Sequence, residues 1–152
     1  MRTGSISAYE GLIRGPSDTL VHLPFALSKE ARAANQTFEL ERPCCRVLIK
    51  RFMQPGLAGK LFLNLSPESL LQHEARRDYT SRYMSEVGTT PERVVIELTE
   101  SHPIYDDDQM REAVTRFRRM GFQIAIDDLR EGYSSLRLWS ELRPDLQLSD
   151  CL

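Results

Sequence analysis

Short apolar runs that stop on polar side chains alternate along this chain with longer stretches of amphipathic, helix-compatible composition. Ser5 to Arg14 (SISAYEGLIR) has period two, placing Ile6, Ala8, Glu10 and Leu12 on one face and Ser7, Tyr9, Gly11 and Ile13 on the other. Lys60 to Ser66 (KLFLNLS), Arg93 to Glu100 (RVVIELTE) and Phe122 to Asp128 (FQIAIDD) are apolar runs that each end on oxygen-bearing side chains, and all three read as buried strands. Between the strands, Phe25 to Asn35, Thr37 to Met53, His73 to Val87 and Asp107 to Met120 have helical composition. Pro43 is expected to kink the second of these helices or to start a new one. Ser66, followed by Pro67-Glu68, reads as an N-cap with proline at the first helical position. Asp106, Asp107 and Asp108 at the start of the Asp107 to Met120 helix, and Arg116, Arg118 and Arg119 near its end, suit the helix dipole. A helix over Tyr133 to Leu142 with Trp139 as its buried anchor, and a short strand over Pro144 to Ser149, complete the pattern. Repeated strand and helix predicts a parallel α/β sheet or barrel.

Composition narrows the function classes without choosing among them. The 152 residues make one domain, and 41% hydrophobic and 28% charged residues are ordinary for a globular chain. A net charge of −2 gives no polyelectrolyte character, so binding to a nucleic-acid polymer by bulk electrostatics is not expected. No window reaches the roughly 18 to 20 apolar residues of a membrane span, and MRTGSISAYE has no signal-peptide core. Cys44, Cys45 and Cys151 lack the spacing of zinc ligands or a disulfide framework, so free thiols in a reducing cytoplasm are expected. The stretch HEARR lacks the second histidine of the zinc motif HExxH.

The candidate chemistry sits at the strand ends. Parallel strands deliver their C-terminal ends to one side of the sheet, and Glu10, Asn64, Glu97 and the pair Asp127-Asp128 all belong to such strands. Each alone has a bland role as edge acid, turn former or helix cap. Together they are hard oxygen donors of the kind that suits magnesium or manganese, and two such ions suit phosphodiester hydrolysis. Adjacent aspartates point to opposite sides of an extended backbone, so the turn after the strand must bring both onto one ligand. Gly132 gives that turn its freedom, and Ser134 or Ser135 can cap the helix beyond it.

The segments YEGLIRG, FLNLSPE, VVIELTE and AIDDLREGYSSLRL resemble, in order and spacing, those of EAL domains, the bacterial cyclic di-GMP phosphodiesterases. The resemblance implies a modified (β/α)8, TIM-like barrel, present here as a single partial domain over residues 1–152 and incomplete at both ends. It also implies hydrolysis of cyclic di-GMP to linear pGpG with magnesium or manganese. Carried over by motif, Glu10, Asn64, Glu97 and Asp127 would be metal ligands, and Asp128 would bind the second metal or help activate the attacking water. Leu12 and Arg14 would contact the nucleotide, Arg14 through a phosphate, and Glu100 would hold the loop after Asp128 in its working shape.

This chain departs from the family at several positions. Gly11 replaces the usual alanine of the signature tripeptide, Leu129-Arg130-Glu131 replace Phe-Gly-Thr, and Leu148 stands at the position of the catalytic lysine, although Asp150 still aligns with the family's acid. The opening strand with its QPI motif, and the last strands with a further glutamate and a glutamine, are expected to be missing. The resemblance then implies an inactive phosphodiesterase unit; the alternative is a non-catalytic remnant that binds cyclic di-GMP or a protein partner. A homodimer is expected, because an open barrel would leave a sheet edge and the inward side chains of Leu63, Ile96 and Ile124 partly uncovered. A phosphoacceptor receiver domain fits poorly, since its acid pair belongs near the chain start and a lysine should follow.

Overall fold

A computed structural model describes residues 8–75, 77–98, 107–126 and 142–147, with the backbone alone for 73–75, 77–81, 107, 146 and 147. The strands are β1 (Ala8–Gly11), β2 (Lys60–Leu65), β3 (Val94–Leu98), β4 (Gln123–Ile126) and β5 (Leu146–Gln147). The helices are α1 (Pro24–Ala33), α2 (Thr37–Met53), α3 (Pro67–Ala75), α4 (Arg77–Glu86) and α5 (Asp107–Arg119). All five described strands are parallel, and each pairs with its neighbour in sequence, in the order β1-β2-β3-β4-β5. That sequential winding is the one a (β/α) barrel uses, whereas a receiver-type doubly wound sheet runs 2-1-3-4-5. No described helix is long and apolar enough to cross a membrane.

The described helices cover one face of the sheet. Leu61, Leu63, Leu65, Val94, Ile96, Leu98, Ile124 and Ile126 all point to one face and join Ile49 and Phe52 of α2, Leu70 of α3, and Val114 and Phe117 of α5 in the main core. Leu63, Ile96 and Ile124, expected as inward side chains lining a partly uncovered core, instead lie under the helices, at 2%, 5% and 0% exposure. The opposite face carries a smaller cluster of Phe62, Val95 and Ala125, with Ala8 packed against it. On that face the Lys60 ammonium donates to the Gln123 side-chain oxygen, reaching from β2 across β3 to β4.

The expected elements differ from the observed ones mainly at their ends. Among the described residues the first strand covers Ala8–Gly11 and stops before Leu12, while 5–7 lie outside the described residues. Helix α2 runs through Pro43 as one element, which leaves one backbone hydrogen bond unmade within it. Ser66 caps α3 as expected: its Oγ accepts from the Ser69 N–H at 3.2 Å, and Pro67 opens the helix. The Tyr133 to Leu142 helix lies outside the described residues except for Leu142, which is buried in the main core. Cys44 and Cys45 are free thiols, and burial pushes the Cys45 thiol up to about 12, so it is neutral and packed against the core; Cys151 lies outside the described residues.

Two polar clips fix how the strands enter the sheet. Arg93 lies just before β3 and its guanidinium donates to the carbonyl oxygens of Leu57 and Gly59, in the turn that opens β2, while stacking 4.7 Å from the centroid of Phe52. Asp145 leads into β5. Its carboxylate accepts from the Ile124 N–H at 3.0 Å and from Arg118 Nε at 2.9 Å, and its own N–H donates to the Ile124 carbonyl at 2.8 Å. Arg118 thus ties α5 to β4 and β5, a more specific task than complementing the dipole.

Candidate functional site

The site is built by strand parity. In β2, Asn64 shares a face with Phe62, and in β3, Glu97 shares a face with Val95. Asn64 and Glu97 stand directly opposite each other in the parallel register, and Glu10 of β1 stands opposite Phe62. Glu10 and Asn64 are therefore diagonal neighbours, and the Asn64 Nδ2 donates to Glu10 Oε1 at 3.0 Å. Three oxygen-bearing side chains from three adjacent strands thus lie on the face that the described helices leave alone. Their burial differs: Glu10 is exposed, Asn64 is half-buried, and Glu97 is only 2% exposed.

On its sequence Glu10 is open to two readings, a charge paired with a cation such as Arg14 or an acid reaching water. The structure gives a third arrangement, an exposed acid joined to a side-chain amide, and among the described contacts none joins Glu10 to Arg14. Leu12 and Arg14 follow directly from β1, and both are exposed, Leu12 at 54%. The loop after Arg14 is pinned, because the Gly15 N–H donates to the His22 carbonyl at 3.0 Å and His22 Nδ1 donates to the Gly15 carbonyl at 2.9 Å. A Cβ at Gly15 would meet the Val21 carbonyl oxygen at 2.2 Å, so only glycine allows this closure. Asp127, Asp128 and Glu100 lie outside the described residues.

Gly11, the departure in the signature tripeptide, has a local explanation. It is buried on the helix-covered face, away from Glu10, and a Cβ there would meet Leu48 Cδ1 at 2.9 Å, Leu63 Cδ2 at 3.1 Å and the Phe62 carbonyl oxygen at 3.3 Å. Leucine methyls fill the space that an alanine would need, so the exchange concerns packing and leaves the acid where it was.

Sequence reasoning overlooked Glu41. It lies on α2, yet its Oε2 accepts from both the N–H and the Oγ–H of Ser66, each at 3.0 Å. Nothing in its local sequence distinguishes it from any other acid on an amphipathic helix. The signal is the separation of 25 residues that folding closes, which periodicity does not carry.

Chemically, two carboxylates and an amide oxygen form a hard donor set that fits a magnesium- or manganese-sized cation. The Glu10–Asn64 hydrogen bond fixes the amide orientation and leaves Asn64 Oδ1 as a donor atom toward such an ion. Among the described residues no three His, Cys, Asp or Glu side chains cluster as a metal site.

Comparison with known proteins agrees with this architecture. A family model of the EAL domain matches residues 1–147. The blue light- and temperature-regulated antirepressor BluF of Escherichia coli K12 is 29% identical over 141 residues, which cover 92% of this chain and 34% of BluF. BlrP1 of Klebsiella pneumoniae, in a structure with calcium and cyclic di-GMP, is 30% identical with a TM-score of 0.76 over 93% of this chain and 35% of its own. The EAL domain of Xanthomonas citri FimX, solved with cyclic di-GMP, is only 16% identical but superimposes with a TM-score of 0.75 over 94% of this chain and 57% of its own, which speaks for the fold alone. The chain spans about a third of the length of BluF and BlrP1. The family model matches nearly the whole chain, in keeping with its sequentially wound parallel sheet, and the chain belongs to the EAL domain family.

Proposed function

We propose that residues 1–152 form a single partial EAL domain that binds cyclic di-GMP through a divalent cation, magnesium or manganese, in the cytoplasm of a bacterium. In this reading Glu10, Asn64, Glu97 and Asp127 hold the metal, and Asp128 serves the second metal or the attacking water. Leu12 and Arg14 contact the nucleotide, and Glu100 shapes the loop after Asp128. The observation that carries the reading is the Asn64 Nδ2 to Glu10 Oε1 hydrogen bond, formed next to Glu97 on the helix-free face. Structures of BlrP1 with manganese or calcium and cyclic di-GMP support the same ligand chemistry at 29% and 30% identity. A cation held by Glu10, Asn64 and Glu97 would supply Lewis acidity toward a phosphodiester. Arg14 adds a fork of donors for phosphate oxygens, and exposed Leu12 offers an apolar surface to a base.

Hydrolysis to pGpG is the activity of the family, but Leu148 has no ammonium to offer where the motif places a lysine. Purified chain is expected to bind cyclic di-GMP only when manganese is present and to lose about tenfold or more of that affinity in Glu10→Ala, with no pGpG formed. Calorimetry and nucleotide chromatography on the same samples check both halves. Formation of pGpG by the wild type, abolished in Glu10→Ala, overturns the inactive reading, and binding that ignores manganese overturns the metal-dependent one.

Two copies are proposed to pair, since the described sheet ends on β1 and β5 without a further described strand at either edge. Light scattering across a dilution series is expected to give twice the chain mass. A cooperative, folded monomer at low concentration speaks against the pairing.

A further inference from the structure

The strand end that presents Asn64 is held from outside the sheet. Asn64 is followed by Leu65, the last residue of β2, and then by Ser66, which begins the turn into α3. Ser66 is 3% exposed and donates both its N–H and its hydroxyl to Glu41 Oε2, each at 3.0 Å, while its Oγ accepts from the Ser69 N–H at 3.2 Å. One carboxylate oxygen on α2 therefore fixes the backbone and the side chain of the same residue, two positions beyond Asn64. Charge-assisted hydrogen bonds of this kind are stronger than neutral ones. Burial pushes the Glu41 carboxyl above its ordinary range, and the hydrogen bonds from its serine donors pull the other way.

We infer that Glu41 is a positioning residue for the metal site: through Ser66 it sets the pitch at which β2 leaves the sheet, and so the direction of the Asn64 amide. This inference rests on the proposed role of Asn64 and deepens it. The alternative for Glu41 is a capping role with no consequence for Asn64. The geometry favours the positioning role because the anchored residue is the first after the strand. A change in the Ser66 backbone dihedrals is relayed to Asn64 through a single intervening residue, and Asn64 is itself held on the far side by Glu10 at 3.0 Å. Groups that orient a ligand from outside its own contact set commonly change metal affinity by about 10–100-fold.

The test reads Asn64 itself in the metal-free protein, then adds manganese. The Asn64 side-chain amide signals, identified in a nitrogen-15 NMR spectrum by their loss in Asn64→Asp, should be well separated in the wild type because one proton bonds to Glu10. Glu41→Ala is expected to move them toward the positions of exposed asparagines and to weaken manganese binding about tenfold or more, read by paramagnetic broadening. Glu41→Gln keeps an acceptor oxygen for Ser66 and should restore both readouts to within about threefold of wild type, which a loss of packing alone would not produce. Unchanged Asn64 signals in a folded Glu41→Ala overturn the inference, as does failure of Glu41→Gln to restore them. Should manganese broaden nothing in the wild type, the metal reading of the site fails, while the metal-free Asn64 signals still decide the role of Glu41.

Discussion

Glu97→Gln is expected to lower manganese affinity by more than about 100-fold, since residues that only orient a ligand already cost about 10–100-fold when changed. Glu97 is the most buried of the three described site residues, at 2% exposure, on a strand whose every residue is buried. A carboxylate in such a place is costly unless a cation or donors offset its desolvation. Glu10 and Asn64 place further oxygen atoms on the same face, where the proposed cation would meet all three side chains. The informative comparison sets Glu97→Gln beside Asp108→Asn. Asp108 stands exposed in the first turn of α5 and pairs with Arg111 at 2.9 Å, and its loss should leave manganese affinity unchanged. Asp127→Asn is expected to fall with Glu97→Gln on its motif position. Calorimetry with manganese separates them, and a thermal shift gives an independent reading: an ion at 100 times its dissociation constant stabilises the wild type by about 2.7 kcal/mol and should leave Glu97→Gln where it was. Equal losses in Glu97→Gln and Asp108→Asn sink the assignment.

How much of this is legible in the sequence depends on which physical signal each feature leaves. Strands β2, β3 and β4 are visible as short apolar runs bounded by breaks, because a strand buried on both faces has to be apolar almost throughout. The same property hides their orientation. With leucine, valine or isoleucine on both sides, hydrophobicity does not say which side faces the helices, and the expectation for Leu63, Ile96 and Ile124 picks the wrong one. Strand parity holds the answer. If Asn64 and Glu97 face a ligand, then Leu63 and Ile96 must face away from it, since adjacent side chains alternate. The helix cap at Ser66 is legible because a serine before proline is local chemistry. The extent of the first strand is not, since alternation over SISAYEGLIR continues past the point where pairing with β2 stops at Gly11.

The site divides in the same way. Glu10, Asn64 and Glu97 stand out as polar interruptions of apolar runs, and the parallel sheet then brings them to one face. Glu41, Arg93 and Asp145 leave no such mark. Each acts across a long separation in sequence: Glu41 on Ser66, Arg93 on the turn at Leu57 and Gly59, Asp145 on the backbone of Ile124. A charged residue on a helix or before a strand looks solvated until the fold supplies its partner. What the sequence conceals is therefore the long-range contacts that hold the strands and turns in place, more than the polar residues on the sheet face.

Phe117→Ala is expected to cost about 3–5 kcal/mol, a large share of the roughly 5–15 kcal/mol that holds a domain together. Phe117 is 2% exposed on the inner face of α5, and its ring lies 5.3 Å from that of Phe122, tilted at 50°. It also lines a cavity of about 50 Å³ beside Ile49, Leu63 and Ile96. Neighbours that already leave this space open are poorly placed to collapse into a larger one, so the loss belongs toward the upper end of that range. Part of it is the tilted ring pair, worth about 0.5–1.5 kcal/mol beyond burial. Phe117→Leu keeps most of the volume and should cost less than about 1.5 kcal/mol. Phe25→Ala, at a ring that is 81% exposed on α1, should stay within about 0.5 kcal/mol of wild type. Urea unfolding with an unchanged slope measures all three as differences in stability. A cost for Phe117→Ala no greater than that for Phe25→Ala would mean that α5 does not close over the sheet as described, because Phe117 is buried and paired with Phe122 whereas Phe25 is exposed.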